Sequence, residues 1–232
     1  MQIVILCGGK GSRLKEITKK TPKPMLLFDK KPFIERIINY LNNQGFNNFL
    51  LLCGYKHRHI VKYFKKKRRL NYNINFSVEK KVLGTGGAII NAKKLLKKSF
   101  VLLNGDSFLP EKYGRITEKF KKNNNKNLLI SVYRNKSNLD IKNNIYIYKK
   151  KLKLYSKKRN VKFNYVDAGV YVVKKKLLNK LKIHNFSFEE FFFQKLINKN
   201  KIDYIETKNF FYDIGTKEKL IKYRKKLKTY FK

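Results

Sequence analysis

Apolar residues fall in short unbroken runs at 3–7, 49–53 and 100–103, each of strand length and too short for a helix with a 3.6-residue period. Between them the period changes. Residues 32–44 place Phe33, Ile37, Ile38 and Leu41 on one helical face and stop at Gly45. Residues 57–67, after a Gly54-Tyr55 turn, form a basic helical segment; 74–78 alternate like a strand; a further helix opens at Leu83 and runs through Leu96. Strands alternating with helices predict βαβ units, a mostly parallel sheet flanked by helices and right-handed crossovers.

From Asn127 the texture shifts. Residues 128–133, 144–148, 152–155 and 165–173 read as strands joined by short polar turns, an antiparallel addition to the sheet. A short helix is expected at 175–181. The next starts at Ser187, where Ser-x-x-Glu with Glu190 forms a capping box. Short strands at 202–206 and 210–212 precede a last helix from Thr216 to about 230, with Leu220, Tyr223 and Leu227 on its apolar face. No internal repeat or linker divides the 232 residues. The polar run 121–126 reads as an ordinary loop between two portions of one α/β domain, 1–125 and 126–232.

Charge changes the picture less than its size implies. The chain carries 57 Lys+Arg against 15 Asp+Glu, a net charge of +42, which first points to nucleic acid. The lysines, however, recur from end to end among asparagine, isoleucine, phenylalanine and tyrosine, so they read as compositional drift with solvated lysine faces. Cys7 and Cys53 end apolar runs and behave as small hydrophobes, without the spacing of a disulfide framework. With no apolar stretch of membrane-spanning length and no charged region before the first apolar run, a cytoplasmic protein is expected. His57 and His59, set among Lys56 and Arg58, make a poor metal site and read as solvated helix residues.

The chemistry concentrates in 6–25, LCGGKGSRLKEITKKTPKPM. A buried strand empties into Gly8, Gly9 and Gly11, whose backbone admits positive φ and lets a ligand reach its N–H groups. Arg13 and Lys23, the latter between Pro22 and Pro24, add fixed charge suited to a polyphosphate. The loop lacks the Gly-Lys-Ser/Thr of a P-loop and the third glycine of a dinucleotide fingerprint, since Ser12, Arg13 and Leu14 follow Gly11. Asp106 and Asp213 each end an apolar run, at the sheet edge where open α/β folds bind ligands. They read either as a magnesium pair, with phosphate and water completing the shell, or as caps of turns. A second glycine turn, 83–88 (LGTGGA), is open between contact with an anion or base edge and tight strand–helix packing.

Gly8-Gly9-x-Gly11-x-Arg13-Leu14 followed by Pro22-Lys23-Pro24-Met25 resembles the signature loop of the sugar-1-phosphate nucleotidyltransferases, and the resemblance covers nearly the whole chain. It implies a Rossmann-like fold. The loop from Leu6 through Gly8, Gly9, Gly11 and Ser12 would wrap a nucleoside triphosphate, with Arg13 and Lys23 as the catalytic cations on its phosphates. Asn104-Gly105-Asp106 and Asp213-Ile214-Gly215-Thr216 would supply two carboxylates for Mg2+, Lys217 standing where the family has proline. Leu83, Gly84, Thr85, Gly86 and Gly87 match the family's lining for base and ribose, behind Glu79-Lys80-Lys81-Val82, where an acidic residue and a proline are common. Asn104, Gly105, Lys158, Asp167, Gly169 and Glu189 correspond to the sugar-phosphate side, aspartate replacing the usual asparagine at 167. Residues 1–125 would then bind nucleotide, and residues 126–232 the sugar.

Residues 104–108, 83–88 and 186–189 look most similar to the branch that guanylylates heptose 1-phosphates for cell-surface polysaccharides, with GTP and a sugar 1-phosphate as partners. Uridylyl or thymidylyl transfer to a hexose 1-phosphate is the neighbouring alternative. A nucleic-acid-binding protein and a non-catalytic sugar-nucleotide sensor are the alternatives from other classes. Neither a specific nucleic acid nor a membrane is expected as partner, and a homo-oligomer is left open. Cys7, where the family usually has alanine, is expected to be packing and not a nucleophile.

Overall fold

The computed structural model describes residues 1–14, 16–67, 70–135, 141–158 and 163–231. The first half begins with β1 (Gln2–Leu6), α1 (Glu16–Lys20), a hairpin of β2 (Leu27–Phe28) and β3 (Lys31–Pro32), and α2 (Phe33–Asn42). It continues through β4 (Asn48–Cys53), α3 (His57–Lys65), β5 (Asn73–Val78), α4 (Gly84–Asn91), β6 (Ser99–Asn104), β7 (Ser107–Phe108) and α5 (Tyr113–Lys122). The second half holds β8 (Leu128–Arg134), β9 (Ile145–Tyr148), β10 (Lys151–Tyr155), β11 (Tyr165–Lys174), α6 (Phe188–Asn198), β12 (Ile202–Thr207), β13 (Tyr212–Asp213) and α7 (Lys217–Lys228).

The apolar runs become the centre of one nine-stranded sheet. β1 lies between β4 and β6, parallel to both, with β5 parallel outside β4. The chain thus winds out to β5 on one side of β1 and returns to β6 on the other. Such a reversal opens a crevice at the carboxyl ends of the two central strands. Beyond β6 the sheet is mixed: β11 runs antiparallel to β6, β8 antiparallel to β11, and β12 parallel to β8. Side chains alternate between faces along each strand. Ile3, Ile5, Leu51 and Val101 enter a core with Phe33, Ile60, Ile116 and Leu227, whereas Val4, Leu50, Phe100 and Leu102 meet Ile89, Phe188 and Phe193 on the other side.

β11 is the joint of the molecule. β8 accompanies one of its edges from Val173 to Tyr165, with an irregularity between Asp167 and Tyr171. On the other edge Val170–Lys174 pair with β6, while Tyr165 pairs with Ile145 of β9. The strand bends between these partners at Gly169, whose φ is 71°. The β9–β10 hairpin and β6 are therefore held apart along one edge, and Ala168-Gly169 face the gap.

Several elements differ from expectation. The helix expected through Leu96 ends at Asn91 and is followed by a 3-10 turn at Lys93–Leu95. There the Gln2 side chain donates to the Leu95 carbonyl and accepts from Lys97 N–H, which turns the chain into β6. The short helix expected at 175–181 is a 3-10 turn, Lys175–Leu178. α5 is an addition to the expected elements: its stripe of Tyr113, Ile116, Thr117 and Phe120 has helical spacing but is interrupted by Gly114, Arg115, Glu118 and Lys119. The strand expected at 210–212 is only Tyr212–Asp213, paired antiparallel with β7.

Gly169→Ala is expected to cost about 1–2 kcal/mol, the penalty of a left-handed L-residue. The added Cβ would also stand 3.2 Å from Asn104 Nδ2. Urea denaturation of wild type and variant measures the loss.

Candidate active site

Two chambers lie side by side on the carboxyl edge of the sheet. The first, 420 Å³, is floored by Leu6, Gly8, Gly9 and Gly11 and walled by Glu79 and Lys23. The second, 400 Å³, occupies the gap at Ala168-Gly169, among Asn144, Asp167, Glu189, Arg13 and Asp213. Thr85, Asn104 and Asp106 line both. Ligands in the two chambers would therefore meet over Asp106.

The first loop is fixed by its own backbone. The Gly8 carbonyl accepts from Tyr55 N–H (3.0 Å), and the Gly11 carbonyl accepts from Leu14 N–H (2.9 Å) and the Thr18 hydroxyl (3.2 Å). Ser12 is exposed and lines neither chamber. Arg13 turns away from the glycines into the second chamber, where a Cβ on Gly215 would lie 2.8 Å from its Nη2. Lys23 is buried at 6% exposure, and its Nζ lies 2.9 Å from Asp106 Oδ2. Cys7 is packing: burial pushes its thiol well above the ordinary range, which removes the thiolate a nucleophile needs.

The two aspartates are brought together by backbone pairing. Ser107 of β7 is the register partner of Asp213 in β13, and the Asp106 carbonyl accepts from Ile214 N–H at 3.0 Å. The turn-capping reading of Asp213 holds, since its Oδ1 accepts from Gly215 N–H (2.6 Å). The cap of α7 is Thr216, whose hydroxyl accepts from Lys219 N–H. Among the described residues no group of three or more His, Cys, Asp or Glu assembles for a metal. A pair of carboxylates is nevertheless the donor set that magnesium commonly takes beside phosphate and water. An ammonium already sits on each, Lys23 on Asp106 and Lys219 on Asp213 (2.8 Å), so the donors present fit a cation.

The second glycine turn divides between lining a chamber and packing. Gly84 and Thr85 line the first chamber, but Gly86 and Gly87 serve packing. A Cβ on Gly86 would lie 2.2 Å from the Phe186 ring and one on Gly87 2.1 Å from the His184 carbonyl. Gly86 N–H donates to the Phe186 carbonyl, and Leu83 is buried. Gly105 is likewise packing, its N–H bonded to the Leu6 carbonyl where β6 leaves β1.

In the second chamber, Asp167 accepts from Gly169 N–H (2.9 Å) and the Tyr171 hydroxyl (2.8 Å). Burial pushes its carboxyl up to about 7 against those bonds, helped by the nearby Glu189 and opposed by Lys157. Glu189 is buried, its Oε2 accepting from the Thr85 (3.1 Å) and Ser187 (2.9 Å) hydroxyls, so the two chambers share a hydrogen-bonded wall. Lys158 lies outside both chambers. Its neighbour Lys157 lines the second, with Nζ 3.2 Å from Ser187 Oγ and 3.3 Å from Glu190. In a Lys-Lys pair after a strand, sequence spacing alone does not choose between them.

Sequence reasoning assigns Glu79 no role of its own, yet the structure gives it one. Its Oε1 fills space above Gly8 and Gly54, where added Cβ atoms would lie 2.6 and 2.0 Å away. Its Oε2 is buried without a hydrogen-bond partner. Burial raises its pKa, opposed by a hydrogen bond from the Leu83 backbone. The available signal is its scarcity: one acid in a lysine-rich chain, four residues before the glycine turn. Asn144 and Tyr155, also in the second chamber, carry no such signal.

The chain is similar to known proteins over most of its length. A family model described as nucleotidyl transferase matches residues 2–229. A D-glycero-alpha-D-manno-heptose 1-phosphate guanylyltransferase of Campylobacter jejuni is 37% identical over 193 residues, 82% of this chain and 84% of the relative. The crystal structure of HddC from Yersinia pseudotuberculosis complexed with GMP-PN superposes with a TM-score of 0.81 at 30% identity, covering 97% of this chain and 99% of that one. A putative glucose-1-phosphate thymidylyltransferase from Bacillus anthracis shares the fold, with a TM-score of 0.84 at 20% identity, covering 97% of this chain and 94% of that one. The protein belongs to the nucleotidyl transferase family.

Proposed function

We propose that this protein transfers GMP from GTP to D-glycero-D-manno-heptose 1-phosphate, releasing pyrophosphate and forming a GDP-heptose for cell-surface polysaccharide. The observation that carries the reading is the junction of the two chambers at Asp106, Asn104 and Thr85. A triphosphate over the glycine loop and a sugar phosphate at Gly169 would meet there. The heptose assignment rests on the Campylobacter jejuni relative and on segments 83–88, 104–108 and 186–189. Two buried, unpaired cysteines suit a reducing cytoplasm.

An ionised oxygen of the sugar phosphate attacks the α-phosphorus in line, and the α–β bridging oxygen leaves with pyrophosphate. No general base is needed, because the attacking monoester is already ionised near neutral pH. The protein's work is positioning and charge stabilisation. Lys23 faces the first chamber and Arg13 the second, so negative charge can be offset from both sides of the reacting phosphorus. Asp106 and Asp213 would hold Mg2+, which supplies charge screening of the two reacting anions.

Base choice follows from Glu79. A carboxylate is acceptor-only, and guanine offers it two adjacent donors, N1–H and the N2 amino group. Uracil and thymine instead present a lone N3–H between two carbonyls that a carboxylate repels. Glu79 lines the first chamber, so a guanine seated there would find an acceptor for donors that uracil and thymine lack.

Pyrophosphate release across four NTPs and a panel of sugar 1-phosphates is expected to peak with GTP and the heptose substrate. Asp106→Ala should reduce it by about 10²-fold or more. A peak with UTP or dTTP and a hexose 1-phosphate would select the neighbouring alternative. No release with any pair, together with tight polynucleotide binding at physiological salt, would overturn the enzyme reading.

Glu79→Gln is expected to lower kcat/KM for GTP about tenfold or more while leaving the UTP rate within a few-fold, the worth of one hydrogen bond to a charged group. Steady-state kinetics with both nucleotides reads the difference.

Asp167 keeps its proton in the folded state up to about pH 7, well above its unfolded value. Stability associated with the neutral acid is therefore present at low pH and lost as pH rises through 7. Ionisation also sets a negative charge against the incoming sugar phosphate. KM for the sugar phosphate is expected to rise several-fold between pH 6 and 8 in the wild type, relative to Asp167→Asn measured across the same range.

A further inference from the structure

Lys219 has no part in the reaction as described, yet it occupies one of its carboxylates. Its Nζ lies 2.8 Å from Asp213 Oδ2, with the two side chains only 24% and 20% exposed. The other oxygen of Asp213 is held by Gly215 N–H. Lys219 also stands in the first turn of α7, where the positive end of the helix dipole disfavours a cation. Its ammonium is stabilised there by Asp213.

A divalent ion approaching Asp213 would meet one oxygen turned to the backbone and the other paired to an ammonium. Lys23 makes the equivalent pair with Asp106, but that lysine faces the nucleotide chamber and has phosphate to move to. Lys219 lines neither chamber.

We propose that Lys219 is a built-in competitor of the divalent metal at Asp213. In the free protein it holds the carboxylate in place and neutralises it, so metal binds weakly until the nucleotide contributes its own phosphate oxygens. The inference rests on the reading of Asp106 and Asp213 as the metal pair. Lys219 is a positioning residue, acting through Asp213.

The test is Mn2+ binding to the full chain without nucleotide, followed by the electron paramagnetic resonance signal of free Mn2+. Lys219→Met should bind Mn2+ about tenfold more tightly than wild type, a gain of about 1.4 kcal/mol. Lys219→Arg, which keeps the charge, should stay near wild type, and Asp213→Asn combined with Lys219→Met should lose the gain. Unchanged affinity in Lys219→Met, with the same melting temperature as wild type, overturns the competition even when Asp213→Asn weakens binding. If Asp213→Asn leaves both backgrounds unaltered, the metal reading of Asp213 falls and the proposal falls with it. Should the methionine variant not fold, Lys219→Gln answers the same question.

Discussion

The pair between a buried Lys23 and a partly exposed Asp106 is where the separate stretches of this molecule converge. Lys23 comes from the glycine loop after β1, Asp106 from the end of β6, and the Asp106 carbonyl accepts from Ile214 in the C-terminal segment. Three stretches distant in sequence are thus tied within one residue's reach. Such a pair adds little net stability, because desolvation of the buried ammonium offsets much of the attraction, whereas removing the carboxylate would leave that ammonium buried and unpaired. Its value lies in placement: it holds an ammonium and a carboxylate at the boundary between two chambers before either ligand arrives.

The chambers depend in turn on two breaks in the sheet. At β1 the strand order reverses and opens the first. At Gly169 β11 bends, so β6 and the β9–β10 hairpin share an edge without touching, and the second opens between them. Neither break is visible as a pattern of apolar residues. The first follows from the general logic of alternating strands and helices, and the second needs the register of four strands.

What could be read from the chain alone was the chemistry attached to backbone constraint. Gly8, Gly11, Pro22 and Pro24 mark a loop of unusual shape, and Asp106 and Asp213 stand out because acids are few. Both aspartates do line the second chamber, and Ser12 and Lys158 do not join either. The same scarcity points to Glu79, but its importance lies in a contact with Gly8 and Gly54 that spacing cannot show. Gly86 and Gly87 match a ligand-binding motif, yet they are glycines because Phe186 and His184 press on them. A motif can therefore persist through packing while only some of its residues face the ligand. α5 is hard to see in the chain because a glycine and charged residues separate its few apolar positions, although its stripe is buried once folded.

The charge acquires a meaning from where the acids are. Of the 15 acidic residues, Glu79, Asp106, Asp167, Glu189 and Asp213 line the two chambers of a protein with net charge +42. At long range such a surplus attracts anionic substrates, a sequence-independent effect that salt screens within about 10 Å at 0.1 M. At short range the carboxylates act differently from one another. Asp106 and Asp213 each hold an ammonium, Glu79 keeps a buried oxygen without a hydrogen-bond partner, and Asp167 and Glu189 are bound up with hydroxyls. A uniformly basic cleft would bind phosphate and little else. With acids set in its chambers, a basic protein has on one surface both cations that attract phosphate and oxygens that accept hydrogen bonds, and positive charge alone has no means to do the second.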